Sequence, residues 1–156
     1  MDNNLKIRNA TLGDAKAITD CVVASYSHYI DRIGELPGPM LEDYSEVINQ
    51  HTVFVLTDES AIVGLLVLIV QPGCMLLDNI SVHPSYQGRG LGRRLMMLAE
   101  RETLRSGMDL IKLYTNESMT ENIDIYGKLG YIETERKLER GYSRIYMQKK
   151  LTAPSI

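Results

Sequence analysis

The chain has 156 residues, 44% of them hydrophobic and 24% charged, a length and balance typical of one soluble globular domain with a sizeable core. The formal net charge of −3 gives no general positive field, which argues against a nucleic-acid-binding protein. No apolar stretch approaches the roughly 20 residues that span a bilayer, and the N-terminal residues lack the apolar part of a signal peptide. Cys21 and Cys74 have neither a disulfide pattern nor a metal-ligand spacing. We therefore expect a single cytoplasmic domain over residues 1–156, with no membrane partner, no nucleic acid and no metal ion.

The first predicted elements are a strand, two helices and the loop between the helices. Residues 5–8 alternate apolar and polar side chains, as a half-buried strand does. Residues 11–14 have the spacing of a capping box that opens a helix, and apolar residues recur after them at helical spacing. Two prolines and two glycines within 33–39 predict a loop, and a short helix with Tyr44 and Val47 on one side follows it.

Three consecutive strands and a longer helix come next. The strands are predicted at residues 52–56, 61–70 and 75–82. Beyond them the apolar positions recur at helical spacing as far as Gly107, which is well placed as a C-terminal stop. The last elements are a strand at 110–115, a short helix at 120–128, and two strands at 131–134 and 144–147. This order predicts a mixed sheet covered by helices, in an α/β (α+β) arrangement.

The segment 87–94, QGRGLGRR, joins a predicted strand to a predicted helix with three glycines and three arginines. Glycine permits positive φ and the close approach of a ligand to the backbone. Backbone N–H groups that enter a helix favour a phosphate, and arginines add full positive charges. The order of residues matches neither a Walker A loop, which needs Gly-Lys followed by Ser or Thr, nor the Gly-x-Gly-x-x-Gly dinucleotide fingerprint. Another kind of phosphate-binding turn and a purely structural tight turn are the remaining interpretations.

The pattern Gln87-x-x-Gly90-x-Gly92, placed after a strand, resembles the pyrophosphate-binding signature of the GNAT superfamily of acyl-CoA-dependent N-acetyltransferases. A second segment, residues 122–131 (NIDIYGKLGY), looks like that family's C-terminal LYxxLGF motif. The predicted order of elements is also that family's order over nearly the whole chain. The segments RIG, PGPM, YTNE and MTEN are similar to those of a small, single-domain bacterial subgroup. The resemblance implies the GNAT fold: a mixed, mostly antiparallel sheet of six to seven strands with splayed fourth and fifth strands, flanked by about four helices.

The resemblance also implies where acetyl-CoA would bind. The pantetheine arm would pair with the backbone of the fourth strand at Ile80 and Val82, with Ser81 between them facing the other side of the sheet. The pyrophosphate would lie on the N–H groups of the turn and the first helical residues: Gln87, Gly88, Arg89, Gly90, Leu91, Gly92 and Arg93. A solvated helix face is the alternative for the arginines. Asn122 would hold the pantetheine or the catalytic tyrosine, although the family's usual asparagine position is taken here by Met119.

Tyr126 matches the family's tyrosine acid, which would protonate the departing thiolate. With a phenol pKa of about 10 against a thiol pKa of about 8.5, such a tyrosine is protonated at neutral pH and able to donate. Packing in the core is the alternative role. Asp78 is the candidate base, because alternation along the strand would place it on one face with Ile80, whose N–H would stabilise the oxyanion. Glu117 and a water molecule are the alternatives to Asp78.

The resemblance leaves the amine acceptor unidentified, and the donor is acetyl-CoA or a longer acyl-CoA. The walls of the acceptor site would be residues 26–33 and 39–44, which hold three tyrosines, an arginine and several carboxylates suited to a small polar amine. The leading hypothesis is acetyl transfer to a primary amine of a small molecule. The alternatives are a non-catalytic acyl-CoA sensor and a protein N-acetyltransferase. Pairing of edge strands would allow a homodimer.

Overall fold

The computed structural model describes residues 4–34 and 36–152. The strands are β1 (Leu5–Asn9), β2 (Thr52–Asp58), β3 (Ala61–Gln71), β4 (Cys74–Val82), β5 (Leu110–Asn116), β6 (Ile132–Glu139) and β7 (Tyr142–Lys150). The α-helices are α1 (Ala15–Tyr26), α2 (Ile30–Ile33), α3 (Tyr44–Gln50), α4 (Leu91–Arg105) and α5 (Thr120–Lys128). The predicted order is confirmed, and α2 is an additional single turn.

The seven strands form one sheet in the order β1-β2-β3-β4-β5-β7-β6, in which only the β4–β5 pair is parallel. The parallel pairing extends over three residues, from Met75 opposite Ile111 to Leu77 opposite Leu113. Beyond this point β4 stays paired with β3 while β5 stays paired with β7, so the two central strands separate. The predicted fold class and the splayed strands are confirmed, and the gap between β4 and β5 opens into the middle of the molecule.

A β-bulge in β4 lies at the start of this gap. Val67 of β3 pairs with Asn79 and Leu68 with Leu77, which leaves Asp78 as the extra residue. Ile80 therefore packs on the same core cluster as Leu77, three residues before it. The expected alternation that placed Asp78 on one face with Ile80 is wrong, because the bulge shifts the side-chain pattern by one residue.

Helices cover both faces of the sheet. On one face α4 packs its apolar stripe, centred on Leu95 and Ala99, against alternate residues of the central strands. On the other face α1 and α3 pack against the opposite set of strand residues, around Ile18 and Val22. The long strand β3 is apolar on both sides because each face is covered by a helix.

The largest boundary differences are at the β6–β7 hairpin, which is much longer than the two short strands predicted. Every residue of β6 except Glu139 is exposed, and its sequence is mostly charged. A strand at the sheet edge with both faces in solvent has no apolar pattern to reveal it. The hairpin turns at Arg140 and Gly141, which both have positive φ, 51° and 82°.

Among the described residues, no helix is long and apolar enough to cross a membrane. Nor do the His, Cys, Asp and Glu side chains of that part of the chain form a group arranged to hold a metal ion.

The predicted capping box is present before α1, and its hydrogen bonds are expected to stabilise the folded protein. The backbone N–H of Thr11 donates to Oδ2 of Asp14 at 2.7 Å, and Arg8 donates to both oxygens of the same carboxylate at 2.8 and 3.0 Å. The guanidinium of Arg8 is the main reason why the pKa of Asp14 falls to about 2. We expect Asp14→Asn to lower the free energy of unfolding by about 1–2 kcal/mol at neutral pH, as measured by urea denaturation.

The pH dependence of this effect follows from the lowered pKa. The folded-state pKa of Asp14 lies below the unfolded value, so its contribution is complete above about pH 4 and disappears as the pH falls towards 2. The control is Asp20→Asn, since that carboxylate is 64% exposed and, within residues 4–34 and 36–152, forms a salt bridge with Lys16 alone. The control is expected to change stability by less than about 0.5 kcal/mol. Equal losses in both variants would contradict the role of the capping box.

Candidate active site

A groove of about 550 Å³ runs between α1, the C-terminal half of β4, the start of α4, and α5. It brings together residues that are far apart in the sequence, as Ser25 and Leu129 are. Almost all of the predicted cofactor-binding residues line it: Ile80, Ser81, Val82, Gln87, Gly88, Gly90, Leu91, Gly92, Arg93 and Asn122. The groove therefore starts at the glycine-rich turn and ends at the gap between the splayed strands.

The glycine-rich turn has the backbone conformation that its sequence indicates. Gly88 and Gly90 have positive φ, 82° and 77°, and Gly90 is the residue that precedes the first turn of α4. A Cβ placed on Gly88, Gly90 or Gly92 would meet no atom within 4 Å. The turn thus leaves open space in front of the N-terminal N–H groups of α4, which is where an anionic group is favoured. The side-chain amide of Gln87 donates to the carbonyl oxygen of Val82 at 3.1 Å and so fixes the turn against the end of β4.

The arginines of the turn differ in position. Arg93 lines the groove. Arg89 does not line it: its guanidinium lies 4.8 Å from the centre of the Tyr86 ring and donates to the carbonyl oxygen of Ser85 at 3.4 Å. The Tyr86 phenol in turn donates to Asp58 at 2.5 Å. The predicted phosphate contact therefore has geometric support at Arg93 and not at Arg89.

Tyr126 of α5 lies at the inner end of the groove, where a neck leads on through the gap between β4 and β5. Its phenol makes no hydrogen bond with any of the described residues. Burial raises the pKa of Tyr126 above its ordinary value of 10.0, and the nearby phenols of Tyr26 and Tyr29 raise it further. The hydroxyl is therefore protonated at neutral pH and available to a group that enters from the groove.

Met119 and Asn122 lie beside Tyr126 and line both the groove and the neck. Met119 is buried and precedes the first turn of α5, and it offers no hydrogen-bond donor. The amide of Asn122 is the polar group at this place, one helical turn before Tyr126.

A hydrogen-bonded network that the sequence did not reveal fixes the wall opposite α5. The side chain of Asn79 is only 4% exposed; its Oδ1 accepts from the hydroxyls of Tyr26 at 3.2 Å and Ser81 at 2.9 Å. Its Nδ2 donates to the hydroxyl of Tyr44 at 3.0 Å, which donates to the carbonyl oxygen of Pro39 at 2.7 Å. Burial raises the pKa of Tyr26 to about 12. Because its groups are paired, the network is rigid and neutral.

The neck holds about 60 Å³ and is lined by Asp78 as well as by Ile80 and Tyr126. Oδ1 of Asp78 accepts a hydrogen bond from the Tyr114 phenol of β5 at 2.9 Å. The bulge has thus placed the Asp78 carboxylate across the gap between the splayed strands. Glu117, the alternative base, lines none of these cavities: its carboxylate accepts from Arg136 at 3.1 Å and from Ser143 at 2.6 Å.

The neck opens on its far side into an outer pocket of about 440 Å³. Four residues of the predicted acceptor walls line this outer pocket: Pro39, Leu41, Glu42 and Tyr44. Three others line the groove instead: Tyr26, His28 and Tyr29. The side chain of the predicted Arg32 lies outside the described residues. The outer pocket is also lined by Asp78 and Asn79 of β4. Four further lining residues, none of them predicted as part of the site, come from β5 and the β6–β7 hairpin: Tyr114, Arg140, Tyr142 and Arg144.

The hairpin and the loop before α3 are held together over the outer pocket. The Tyr142 phenol donates to the carbonyl oxygen of Leu36 at 2.5 Å, across 106 positions of the sequence. A pairing of this range leaves no local sequence signal. The groove, the neck and the outer pocket form one passage through the splayed sheet, with Tyr126 and Asp78 at its narrowest part.

Comparison with known proteins identifies the family. The family model described as an acetyltransferase (GNAT) domain matches residues 49–133, which is more than half of the chain. The chain belongs to the GNAT acetyltransferase family. Comparison with curated protein sequences gives no match.

Solved structures share the fold at low sequence identity. The PaiA N-acetyltransferase of Thermoplasma acidophilum, in complex with coenzyme A, has a TM-score of 0.77 and 17% identity, over 94% of this chain and 98% of its own. A GNAT family acetyltransferase of Elizabethkingia anophelis with acetyl-CoA bound has a TM-score of 0.72 and 18% identity, over 96% and 99%. YncA of Salmonella typhimurium, solved with acetyl-CoA, has a TM-score of 0.73 and 21% identity, over 99% and 98%.

Proposed function

We propose that this acetyltransferase moves an acetyl group from acetyl-CoA to a primary amine of a small molecule, by direct attack of the amine. The observation that carries the proposal is the continuous passage, with Tyr126 and Asp78 at its narrowest part. The CoA and acetyl-CoA complexes of structurally similar proteins support a nucleotide donor in the groove.

The residues of the groove fit this donor. Acetyl-CoA supplies the thioester, and its pyrophosphate would take the open space before the N–H groups of α4, with Arg93 beside it. The exposed backbone of Ile80 and Val82 at the gap would hold the pantetheine, as an added strand does. The backbone N–H of Ile80 would donate a hydrogen bond to the oxyanion of the tetrahedral intermediate.

On the acceptor side the chemistry needs a neutral amine and a proton for the leaving group. An alkyl amine is mostly protonated at neutral pH. Asp78, which lines the neck, would hold the ammonium and accept its proton, directly or through water. As the amine nitrogen bonds to the carbonyl carbon and the C–S bond breaks, the sulfur takes the electron pair. The Tyr126 hydroxyl would then give the thiolate its proton, and the phenolate would recover one from solvent.

The size of the acceptor side favours a small molecule over a protein. The outer pocket holds about 440 Å³, and Tyr142, which lines it, is hydrogen-bonded to the loop before α3 at Leu36. A protein substrate needs an open groove through which a chain can pass.

Calorimetric titration of acetyl-CoA and CoA into the purified protein, followed by thiol release with a panel of amines, tests the proposal. We expect binding of both nucleotides and thiol release that depends on an added amine. Absence of acetyl-CoA binding at high micromolar concentration would overturn the assignment of the groove. Binding without release from any amine or peptide would indicate an acyl-CoA sensor, and release with peptides alone would indicate a protein acetyltransferase.

A further inference from the structure

The outer pocket contains an arginine that is shielded from water by aromatic rings. Arg144 of β7 has its guanidinium carbon 4.4 Å from the centre of the Tyr114 ring and 5.7 Å from that of Tyr142. Its side chain is only 18% exposed. Stacking on tyrosine fixes the plane of the guanidinium and leaves its edge, which carries the N–H groups, directed away from the rings.

Few protein groups satisfy this cation. Among the described residues, one carboxylate lies within 4.0 Å, that of Glu139, and its oxygen is 3.9 Å from the nearest guanidinium nitrogen. That separation is too long for a hydrogen bond, and the same Glu139 oxygen accepts from the Tyr146 phenol. A guanidinium has five N–H donors. The neighbouring Tyr146 hydroxyl can accept a hydrogen bond from one or two of them. Because most of its N–H groups have no protein acceptor among the described residues, the guanidinium is suited to an anion that enters the pocket.

The surroundings of Arg144 extend this anion site. Arg140, at the hairpin turn, lines the same pocket and adds a second positive charge. The backbone of Gly38 lies beside the guanidinium, because a Cβ placed there would be in van der Waals contact with the Nη2 atom of Arg144, at 3.7 Å. The loop that contains Gly38 thus forms the far side of the anion site.

A negative charge lies at the inner end of the same pocket. Tyr114 touches both charges: its hydroxyl donates to Asp78 at 2.9 Å, and its ring carries the Arg144 guanidinium. The carboxylate and the guanidinium are therefore separated by little more than one tyrosine side chain. Asp78 and Arg144 both line the neck as well as the outer pocket, whereas Arg140 lines only the outer pocket. One negative and one positive group therefore lie next to the reaction centre, and a second arginine lies further out.

We propose that the acceptor is a small amine that carries a carboxylate, of the amino acid class, with its amino group at Asp78 and its carboxylate on Arg144. The inference rests on the proposed function, since it assigns the acceptor for the same reaction. A bidentate pair between guanidinium and carboxylate gives both affinity and orientation. Simple diamines and polyamines lack an anion for Arg144, and their charges are repelled by Arg140. Polyphosphates are disfavoured by the carboxylates of Asp78 and Glu42 in a pocket of this size.

The test uses pairs of ligands that differ only in the carboxylate: the common amino acids that have a primary amine and a single carboxylate, and the amines that result from their decarboxylation. Binding of each is measured by calorimetry to the free protein and to the protein saturated with CoA. We expect at least one amino acid to bind about 10- to 100-fold more tightly than its decarboxylated partner. Arg144→Gln should abolish this preference, and Arg144→Lys should restore only part of it, because lysine keeps the charge without the planar fork.

Two further variants separate a specific effect from a general one. Arg140→Asn changes an exposed turn residue to one that tolerates positive φ, so it should reduce the preference without affecting folding. Arg136→Gln is the matched control on the same hairpin, since Arg136 pairs with Glu133 and Glu117 outside the pocket. The control should keep the wild-type preference.

The outcomes distinguish this proposal from the proposed function. If the protein binds acetyl-CoA and acetylates amines, but no amino acid is preferred over its amine, the carboxylate site is overturned and the acetyltransferase function stands. A preference that Arg144→Gln leaves intact would also overturn it. If acetyl-CoA does not bind, the proposed function fails, and binding of amino acids to the free protein still decides the role of Arg144.

Discussion

Replacing Tyr126 by phenylalanine is expected to lower kcat by about 10²- to 10⁴-fold, the usual contribution of a general acid, with little change in the dissociation constant of acetyl-CoA. The change removes one hydroxyl that makes no hydrogen bond with the described residues, so the fold has no partner to lose. The thiolate would then leave without a proton donor at 126. Steady-state thiol release and calorimetric titration measure the two quantities separately.

The control for this variant is Tyr131→Phe. Tyr131 lies outside the three cavities, and its phenol donates to Glu100 at 3.0 Å. We expect nearly wild-type kcat from Tyr131→Phe. If the two variants have equal kcat, Tyr126 is a packing residue and the acid must be sought elsewhere.

The raised pKa of Tyr126 also predicts the pH profile. The folded-state pKa lies above the ordinary phenol value of 10.0, so the acid form is complete throughout the neutral range and is lost only when the pH rises beyond 10.0. The rate should therefore show no alkaline decline due to Tyr126 between about pH 7 and 9, where amine deprotonation raises the rate. A decline in that range that disappears in Tyr126→Phe would contradict this environment.

Gly92→Glu is expected to weaken acetyl-CoA binding by at least about 100-fold, because it places a negative charge where the pyrophosphate would lie. Gly92 is in the first turn of α4, its φ is not positive, and a Cβ there meets no atom within 4 Å. A glutamate in the first turn of a helix is itself favourable, through helix propensity and the helix dipole. Thermal stability should consequently be unchanged or higher while calorimetry shows the loss of affinity.

Gly127→Glu is the matched control for the change at Gly92. Gly127 is also a helical glycine, in α5, and a Cβ placed on it would meet no atom within 4 Å, but it lines neither the groove nor the other cavities. The control should bind acetyl-CoA like the wild type. If both variants bind acetyl-CoA tightly, the pyrophosphate does not bind at the start of α4.

The donor side of the site was predictable from the sequence because its signals are local. The turn from Gln87 to Arg93 shows its glycines and charges within seven adjacent residues, and α5 was predicted with its observed bounds. Each of these segments has a conformation determined by its own residues.

The acceptor side was predictable only in part because it depends on long-range pairing. The bulge at Asp78 arises from its register with β3, and the partners of a strand cannot be deduced from its residue types. Arg144 belongs to a hairpin whose exposed, charged outer strand has no apolar periodicity. Its neighbour Tyr142 reaches Leu36, more than a hundred residues away. Local sequence patterns therefore predict the glycine-rich turn and do not predict the charged residues of the outer pocket.

The β6–β7 hairpin has an implication for how substrate range can change in this protein. It lies at the sheet edge, supplies Arg140, Tyr142 and Arg144 to the outer pocket, and contributes nothing to the donor groove. If the outer pocket binds the acceptor as proposed, substitutions in the hairpin are expected to change the charge of the amine that is accepted, with no loss of affinity for acetyl-CoA. Exchange of residues 139–144 between homologues is accordingly expected to alter the choice of acceptor. The residues of the groove would stay the same in each exchanged variant.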